Sequence, residues 1–484
     1  SAVAIDIPKL WVLCGTNSSG KSTILKSLLL LRQSQGINET GKKGQGLLKF
    51  VGTQTDFGNY STLVSDRKLE ENISFCIKVP SSMSRGECNL MKSLPHKKGS
   101  ESDHTYGDSN EFSPYVSVTL KFKSLNNSCC VDENNIKENY SQRSSASNAK
   151  GILYEANFCI KNQEEEILSW TVGLVNECNA DTKEPEYKIS MPFQYFSWVG
   201  GKRLMQFDMA ENKKDVLLTV YLDGLLPSQL ISKIPKKQLK SEHEQWRAIS
   251  LPPQIDRAIK DIRKALQSIH YVAPLRAPGQ RFYVTNHDLM PSLDSNGDFL
   301  PYLLSQENQP QVDVVLPGES DIKRIELSKA LDSWTHYLRT GEQKSNDAFE
   351  LRVSSLKGVL VELEVPTPNG SNSYSLVDSG FGYSQILPIL VKGLLAEQGS
   401  TLIVEQPELH LNPALQVRIS EFFMALVLAN KQVILETHSE HIVNSARVSI
   451  AESREGETPF DCKISFLECK ADHVHINEMS IQPD

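Results

Sequence analysis

Trp11-Val12-Leu13-Cys14-Gly15-Thr16-Asn17-Ser18-Ser19-Gly20-Lys21-Ser22-Thr23 is the stretch on which the fold turns. Its four leading apolar residues predict a short buried strand, and the glycine-bounded segment predicts a loop. Ile24, Leu25, Leu28, Leu29 and Leu31 then mark the apolar residues of a helix. Gly15, Gly20, Lys21 and Ser22 satisfy the spacing G-x-x-x-x-G-K-[ST], and strand, loop and helix come in the order that this motif needs. The glycines let backbone amides converge on phosphate oxygens, and the helix start adds the positive end of its dipole. Lys21 is therefore expected at the β and γ phosphates of ATP, and the Ser22 hydroxyl at its Mg²⁺. Gly15, Asn17, Ser18, Ser19, Gly20, Lys21, Ser22 and Thr23 form the candidate phosphate-binding set.

Such a loop works with a distant apolar strand that ends in an acid, because the acid anchors the Mg²⁺ shell. Leu402-Ile403-Val404-Glu405 fits, which makes Glu405 the candidate metal anchor beside Ser22. Lys21 and Glu405 lie near opposite ends of the chain, yet both should meet around one Mg·ATP. The sequence thus reads as an α/β ATPase head split by a long insertion. Residues 1–80 are expected to hold the N-terminal half of the head and 81–250 a β-rich lobe with polar, disorder-prone loops. Residues 251–350 are expected to be a helical insertion, and 351–484 the C-terminal half of the head.

Within that frame, Ile73 to Val79, Tyr115 to Phe122, Ile152 to Ile160, Ile167 to Val175 and Val216 to Leu222 read as strands of an antiparallel lobe. Two polar tracts, Pro80 to Glu111 and Lys123 to Lys150, read as surface loops or disorder. Pro253 to Ile269 and Ile322 to Leu338 carry helical periodicity, without the sustained heptads of a coiled-coil arm. Strand and helix alternate again from Gly358 to Leu435, and Asn412-Pro413 reads as an N-cap followed by proline at the first helical position. Phe460 to Asp484 reads as one or two strands.

Composition narrows the class. Of 484 residues, 39% are hydrophobic and 23% charged, which excludes a collagen-like or wholly disordered chain. Lys plus Arg is 51 against 59 Asp plus Glu, a net charge of −8, so a wholly basic nucleic-acid coat is excluded. Local basic clusters at Lys42 and Lys43, Lys97 and Lys98, Lys202 and Arg203, Lys213 and Lys214, and Lys233 to Lys240 keep DNA as a candidate partner. Nine cysteines without C-x-x-C pairs speak against zinc and against a disulfide framework, so a cytoplasmic protein is expected. No apolar run reaches membrane length; Ile24 to Leu31 is interrupted by Lys26 and Ser27. The first residue is Ser1 rather than Met, and no signal peptide is read there.

Together the P-loop, Glu405-Gln406-Pro407-Glu408-Leu409-His410-Leu411-Asn412-Pro413 and Glu436-Thr437-His438-Ser439-Glu440-His441 resemble the ABC-type ATPase heads. Within these the chain is similar to the bacterial branch that includes the OLD-family ATPases and the ATPase subunits of anti-phage defence systems. A weaker echo lies at Tyr271-Val272-Ala273-Pro274-Leu275-Arg276. The resemblance implies that two heads sandwich ATP, each capping its partner's nucleotide with a signature segment. The matching stretch is Ser379-Gly380-Phe381-Gly382-Tyr383-Ser384-Gln385, with Ser379 and Ser384 both open as the contact. It also implies that His438 is the switch histidine at the γ phosphate, with His441 left to packing or capping. Gln54, Asp56 and Gly58 fall where such heads place a metal-contacting glutamine, although a lobe turn explains them as well. Arg276 fits either a DNA or partner contact or an internal brace.

One departure matters. Gln406 stands where ABC heads usually carry the glutamate that acts as base toward the attacking water. An amide can orient that water but cannot accept its proton. Three readings follow: slow or partner-dependent hydrolysis, Glu408 as a displaced base, or a glutamate-to-glutamine replacement that traps ATP. Gln406, Glu408 and His438 are the candidate catalytic residues.

The expected function is an ATPase that dimerises, or forms a higher oligomer, around ATP and regulates a separate effector, a nuclease, in anti-phage defence. A self-sufficient OLD-like DNA-processing enzyme is the alternative, disfavoured because Phe460 to Asp484 offers too little for a nuclease domain. An SMC-like repair ATPase lacks its coiled coil, and a transporter subunit lacks a coupling surface for membrane helices.

Overall fold

Leu10 to Cys14 are buried along the whole run, as a strand covered on both faces must be. Trp11 is among them, and its indole N–H is satisfied by the Ser465 hydroxyl at 2.9 Å. The computed structural model describes residues 5–35, 46–52, 55–63, 71–92, 112–125, 150–163, 165–177, 184–192, 208–209, 215–233, 246–276, 280–284, 303–304, 309–344, 351–356, 360–366, 373–378, 382–454, 461–470 and 473–479.

The chain opens with β1 (Leu10–Gly15) and α1 (Lys21–Gln33). Next come α2 (Tyr60–Leu63), β2 (Ile73–Pro80), α3 (Arg85–Lys92), β3 (Pro114–Leu125), β4 (Lys150–Asn162) and β5 (Glu165–Asn176). They are followed by β6 (Glu186–Pro192), β7 (Asp208–Met209), β8 (Asp215–Asp223), β9 (Leu226–Lys233), β10 (Trp246–Ser250) and α4 (Pro253–Gln267). After these lie β11 (Ile269–Val272), β12 (Tyr283–Val284), β13 (Gln311–Val314), β14 (Lys323–Glu326) and α5 (Leu327–Thr340). The remainder is β15 (Arg352–Leu356), β16 (Leu360–Pro366), β17 (Ser373–Ser375), α6 (Tyr383–Leu395), β18 (Thr401–Glu405), α7 (Pro413–Leu428), β19 (Gln432–Glu436), α8 (Glu440–Arg454), β20 (Cys462–Lys470) and β21 (His473–Glu478). Contacts group the chain into two units, Ser1–Leu29 with Ser268–Asp484, and Leu30–Gln267.

The first unit is built on a six-stranded sheet in the order β11-β18-β19-β1-β20-β21. Its first five strands run parallel, and β21 returns antiparallel against β20. The strand that leads into the P-loop is thus separated from the Glu405 strand by β19. The core beside this sheet joins Leu390, Phe422, Phe423 and Trp334, with the Trp334 and Phe422 rings edge to face at 5.0 Å. α7 starts as its sequence reads: the Asn412 side-chain oxygen accepts from the Leu415 amide at 3.0 Å, and Pro413 follows it. Asn412→Ala should therefore cost about 1 kcal/mol, seen as a lowered urea-unfolding midpoint of the purified chain; an unchanged midpoint would show that the cap is idle.

The second unit is a nine-stranded antiparallel sheet, β10-β9-β8-β6-β5-β4-β3-β2 with β7 on β8. Burial alternates residue by residue along β3, so one face carries the apolar side chains. Phe158 and Trp170 stack across β4 and β5 at 5.1 Å. α4 buries Ile255, Ala258, Ile259, Ile262 and Leu266, the face read from its periodicity.

The α/β class and the antiparallel lobe agree with the sequence reading, and the sheet of the head is parallel in its first five strands. Several local expectations do not. Residues 85–92, read as loop, form α3. A capping box holds it: the Ser84 hydroxyl accepts from the Glu87 amide at 3.3 Å, and the Glu87 carboxylate accepts from the Ser84 amide at 2.8 Å. Residues 251–350, read as helical, also carry β11 to β14. α4 stops at Gln267 because Ile269–Val272 pairs with β18, and the helix expected from Ile322 begins only at Leu327 because Lys323–Glu326 pairs with β13. The remainder of the two polar tracts, 93–111 and 126–149, lies outside the described residues, as do the basic clusters apart from Lys233.

Candidate functional site

Gly15 ends β1 at φ 141°, and a Cβ there would meet the Leu467 carbonyl oxygen at 2.1 Å. No side chain fits, so the backbone turns here because the residue is glycine. Gly20, at φ 90°, sits just before α1, whose first turn closes with the Ile24 amide on the Gly20 carbonyl at 3.1 Å. Between them Asn17 and Ser18 form the exposed tip and Ser19 is fully buried. Lys21, only 4% exposed, turns its ammonium onto the loop, donating to the Thr16 carbonyl at 2.7 Å and the Gly15 carbonyl at 3.2 Å. Thr23 is exposed on the first turn.

The Ser22 hydroxyl donates to Glu436 Oε1 at 2.8 Å. Glu436 ends β19 and is opposite Glu405 in the parallel register, so two acids stand side by side at the carboxyl ends of adjacent strands. Each is 4% exposed. Glu405 Oε1 accepts from the Tyr271 hydroxyl at 3.0 Å. Burial first, and the Glu436 carboxylate second, push the Glu405 carboxyl above its ordinary range. Arg276 is buried and donates from Nη2 to the carbonyls of Glu405 at 3.0 Å and Gln406 at 3.2 Å, which is the internal brace rather than an outward contact. Its burial lowers the guanidinium pKa to about 10.

Beyond Glu405 the backbone swings into the left-handed region at Gln406, φ 47°, with the Gln406 amide on the Glu436 carbonyl at 2.7 Å. Glu408 then reaches back to the loop that follows β19. Its Oε1 accepts from the His438 amide at 2.7 Å and its Oε2 from the Thr437 hydroxyl at 2.8 Å. His438 is exposed, as is His441. Ser439 caps α8, accepting from the Ile442 amide at 3.2 Å and donating to Gln416 of α7 at 2.6 Å.

P-loop, Glu405, Gln406, Glu408 and His438 are thus gathered at the carboxyl ends of β1, β18 and β19. Of the signature stretch, Ser379, Gly380 and Phe381 lie outside the described residues. Gly382, at φ 73°, is the N-cap of α6, and its carbonyl accepts from the Gln385 amide at 2.8 Å. The Gln385 side chain donates to the Ser384 hydroxyl at 3.5 Å. Gln54 also lies outside the described residues; Asp56 accepts from the Gly58 amide at 2.7 Å in a tight turn.

The residues fit a magnesium nucleotide. Ser19 Oγ and Glu436 Oε2 are buried without a hydrogen-bond partner among the described residues, and Ser22, Glu405 and Glu436 present oxygens to a cation. Among the described residues no group of three or more His, Cys, Asp or Glu could hold a metal. Mg²⁺ is commonly held by one or two carboxylates together with substrate phosphates, and Ser22, Glu405 and Glu436 stand together here. Glu436 was not singled out from sequence, although Val433-Ile434-Leu435-Glu436 repeats the pattern of an apolar strand ending in an acid.

A P-loop opening a helix, with acid-ended strands beside it in a parallel sheet, defines a P-loop ATPase site. The family described as AAA ATPase domain matches residues 1–443, and the chain belongs to it. Two solved structures are similar in part. One is an SMC head bound to the C-winged helix domain of ScpA, at 11% identity and TM-score 0.25, covering 63% of this chain and 78% of that one. The other is the SMC head domain from Thermotoga maritima, at 8% identity and TM-score 0.26, covering 63% and 79%. No curated protein matches the chain. Among the described residues no helix is long and apolar enough to cross a membrane.

Proposed function

We propose that the chain binds Mg·ATP at the P-loop, dimerises around it and hydrolyses it slowly, acting in the cytoplasm as sensor or scaffold for a separate nuclease effector in anti-phage defence. The observation that carries the ATP site is the Ser22 to Glu436 hydrogen bond, which ties the P-loop helix to the acid-ended strands. The defence role is supported by the Gln-Pro-Glu and Glu-Thr-His-Ser motifs at 406–408 and 436–439, which resemble those of such ATPases.

In this reading Lys21 leaves the loop carbonyls for the β and γ phosphates, and Ser22 and Glu405 serve the Mg²⁺, which when bound neutralises phosphate charge. Gln406 orients the water without taking its proton, so turnover is slow. Glu408, with both oxygens engaged, acts as a strut that sets the position of His438. Gly382, Ser384 and Gln385, with Ser379 and Gly380, cap the nucleotide of the partner head.

Light scattering tests the assembly. The chain should run as a monomer in EDTA and as a dimer or higher oligomer with ATP and Mg²⁺. A mass that ignores ATP would overturn the sandwich. Mass identification of what co-purifies from the native operon tests the effector; nuclease activity from this chain alone would favour the OLD-like alternative.

A further inference from the structure

Resting on the ATP reading above, we propose that Glu436 is itself a cation-binding carboxylate of the site, sharing the Mg²⁺ with Ser22. Glu436 is the acid that touches the P-loop serine, through Oε1 at 2.8 Å. A hydroxyl that donates its proton to a carboxylate keeps its lone pairs for a cation, so the bond orients Ser22 as a ligand.

The other oxygen carries the argument further. Oε2 of Glu436 is buried and has no hydrogen-bond partner among the described residues. An unpaired carboxylate oxygen out of water is destabilising unless a cation or donor reaches it. Glu405 is different, because the Tyr271 hydroxyl already occupies its Oε1 at 3.0 Å. Of the nearby cationic side chains, Lys21 bonds to the carbonyls of Gly15 and Thr16, and Arg276 bonds through Nη2 to the backbone oxygens of Glu405 and Gln406, its Nε and Nη1 being buried without a partner among the described residues; Lys26 acts on Glu405 through its charge.

Charge leads to the same place. Glu405 and Glu436 are opposite each other in register, both 4% exposed. Two adjacent buried carboxylates repel strongly in a low dielectric, and a divalent ion between them and the phosphates relieves both.

Manganese provides the probe. ATP affinity is titrated in EDTA and in Mn²⁺, and Mn²⁺ binding in the presence of ATP is followed by electron paramagnetic resonance. Glu436→Gln keeps the shape and a partner for Ser22 but removes the charge. Mn²⁺ affinity in the presence of ATP should fall about tenfold or more, while any loss of ATP binding in EDTA should be much smaller, since without the metal the carboxylate charge only repels the phosphates. That tenfold loss corresponds to about 1.4 kcal/mol. Glu436→Asp, which keeps the charge, should recover part of it. Unchanged Mn²⁺ affinity in Glu436→Gln, with a loss only in Glu405→Gln, would overturn the proposal. Equal losses in EDTA and in Mn²⁺ would make Glu436 structural and overturn it too. A wild-type chain that binds ATP in neither condition would instead remove the nucleotide reading itself.

Discussion

Lys21→Ala should lower ATP affinity about a hundredfold or more, measured by isothermal titration with ATP and Mg²⁺. The loss corresponds to about 3 kcal/mol, within the range for removing one partner of a desolvated charge pair. Lys21 is almost fully buried, and its ammonium is already within hydrogen-bond distance of the Gly15 and Thr16 carbonyls. Moving from those two neutral oxygens to phosphate oxygens exchanges weaker bonds for charge-assisted ones. Alanine removes that exchange while leaving the glycine turn, which depends on the clash that any Cβ at Gly15 would make with Leu467. Unaltered binding would refute the P-loop assignment.

Gln406→Glu should raise steady-state ATP hydrolysis about a hundredfold, the lower part of the range for a positioned general base. ATP affinity should change little, since the two side chains share a shape. The backbone at 406 is already fixed: φ is 47°, its amide bonds to the Glu436 carbonyl, and Arg276 holds its own carbonyl at 3.2 Å. A carboxylate introduced there is therefore held by the same backbone contacts. Turnover that does not change would move the base away from this position. Glu408 is poorly placed to take over, because both its oxygens are engaged by Thr437 and His438.

How much of this was legible depended on how local the signal was. β1, β18 and β19 were readable because a fully buried parallel strand is a short apolar run. β3, β4, β5 and β8 were readable because one buried face leaves an alternating pattern. β11 was not: it follows α4 after Ser268 alone, so the helical period of Ile259, Ile262 and Leu266 runs on to Ile269. β14 was hidden in the same way at the front of α5. α3 carried a readable signal in Ser84 and Glu87, masked by the polarity around it. At the site, the P-loop and Glu405 follow from motif spacing. Glu436 carries no such spacing signal, because only the sheet register sets the second acid beside the first. The strut role of Glu408 depends on a side chain crossing from one loop to the next, which no spacing rule encodes.

The middle position of β1 also bears on how the molecule comes to be made. Its neighbours on both sides, β19 and β20, are made long after it, and Trp11 meets a partner 454 positions away at Ser465. At ribosomal rates of about 5 to 20 residues per second, a wait of roughly 20 to 90 seconds separates the synthesis of that strand from the arrival of its partners. Throughout this interval an apolar strand and the loop behind it have no native pairing. A chain interrupted before β18 and β19 are made cannot set Glu405 and Glu436 beside Ser22.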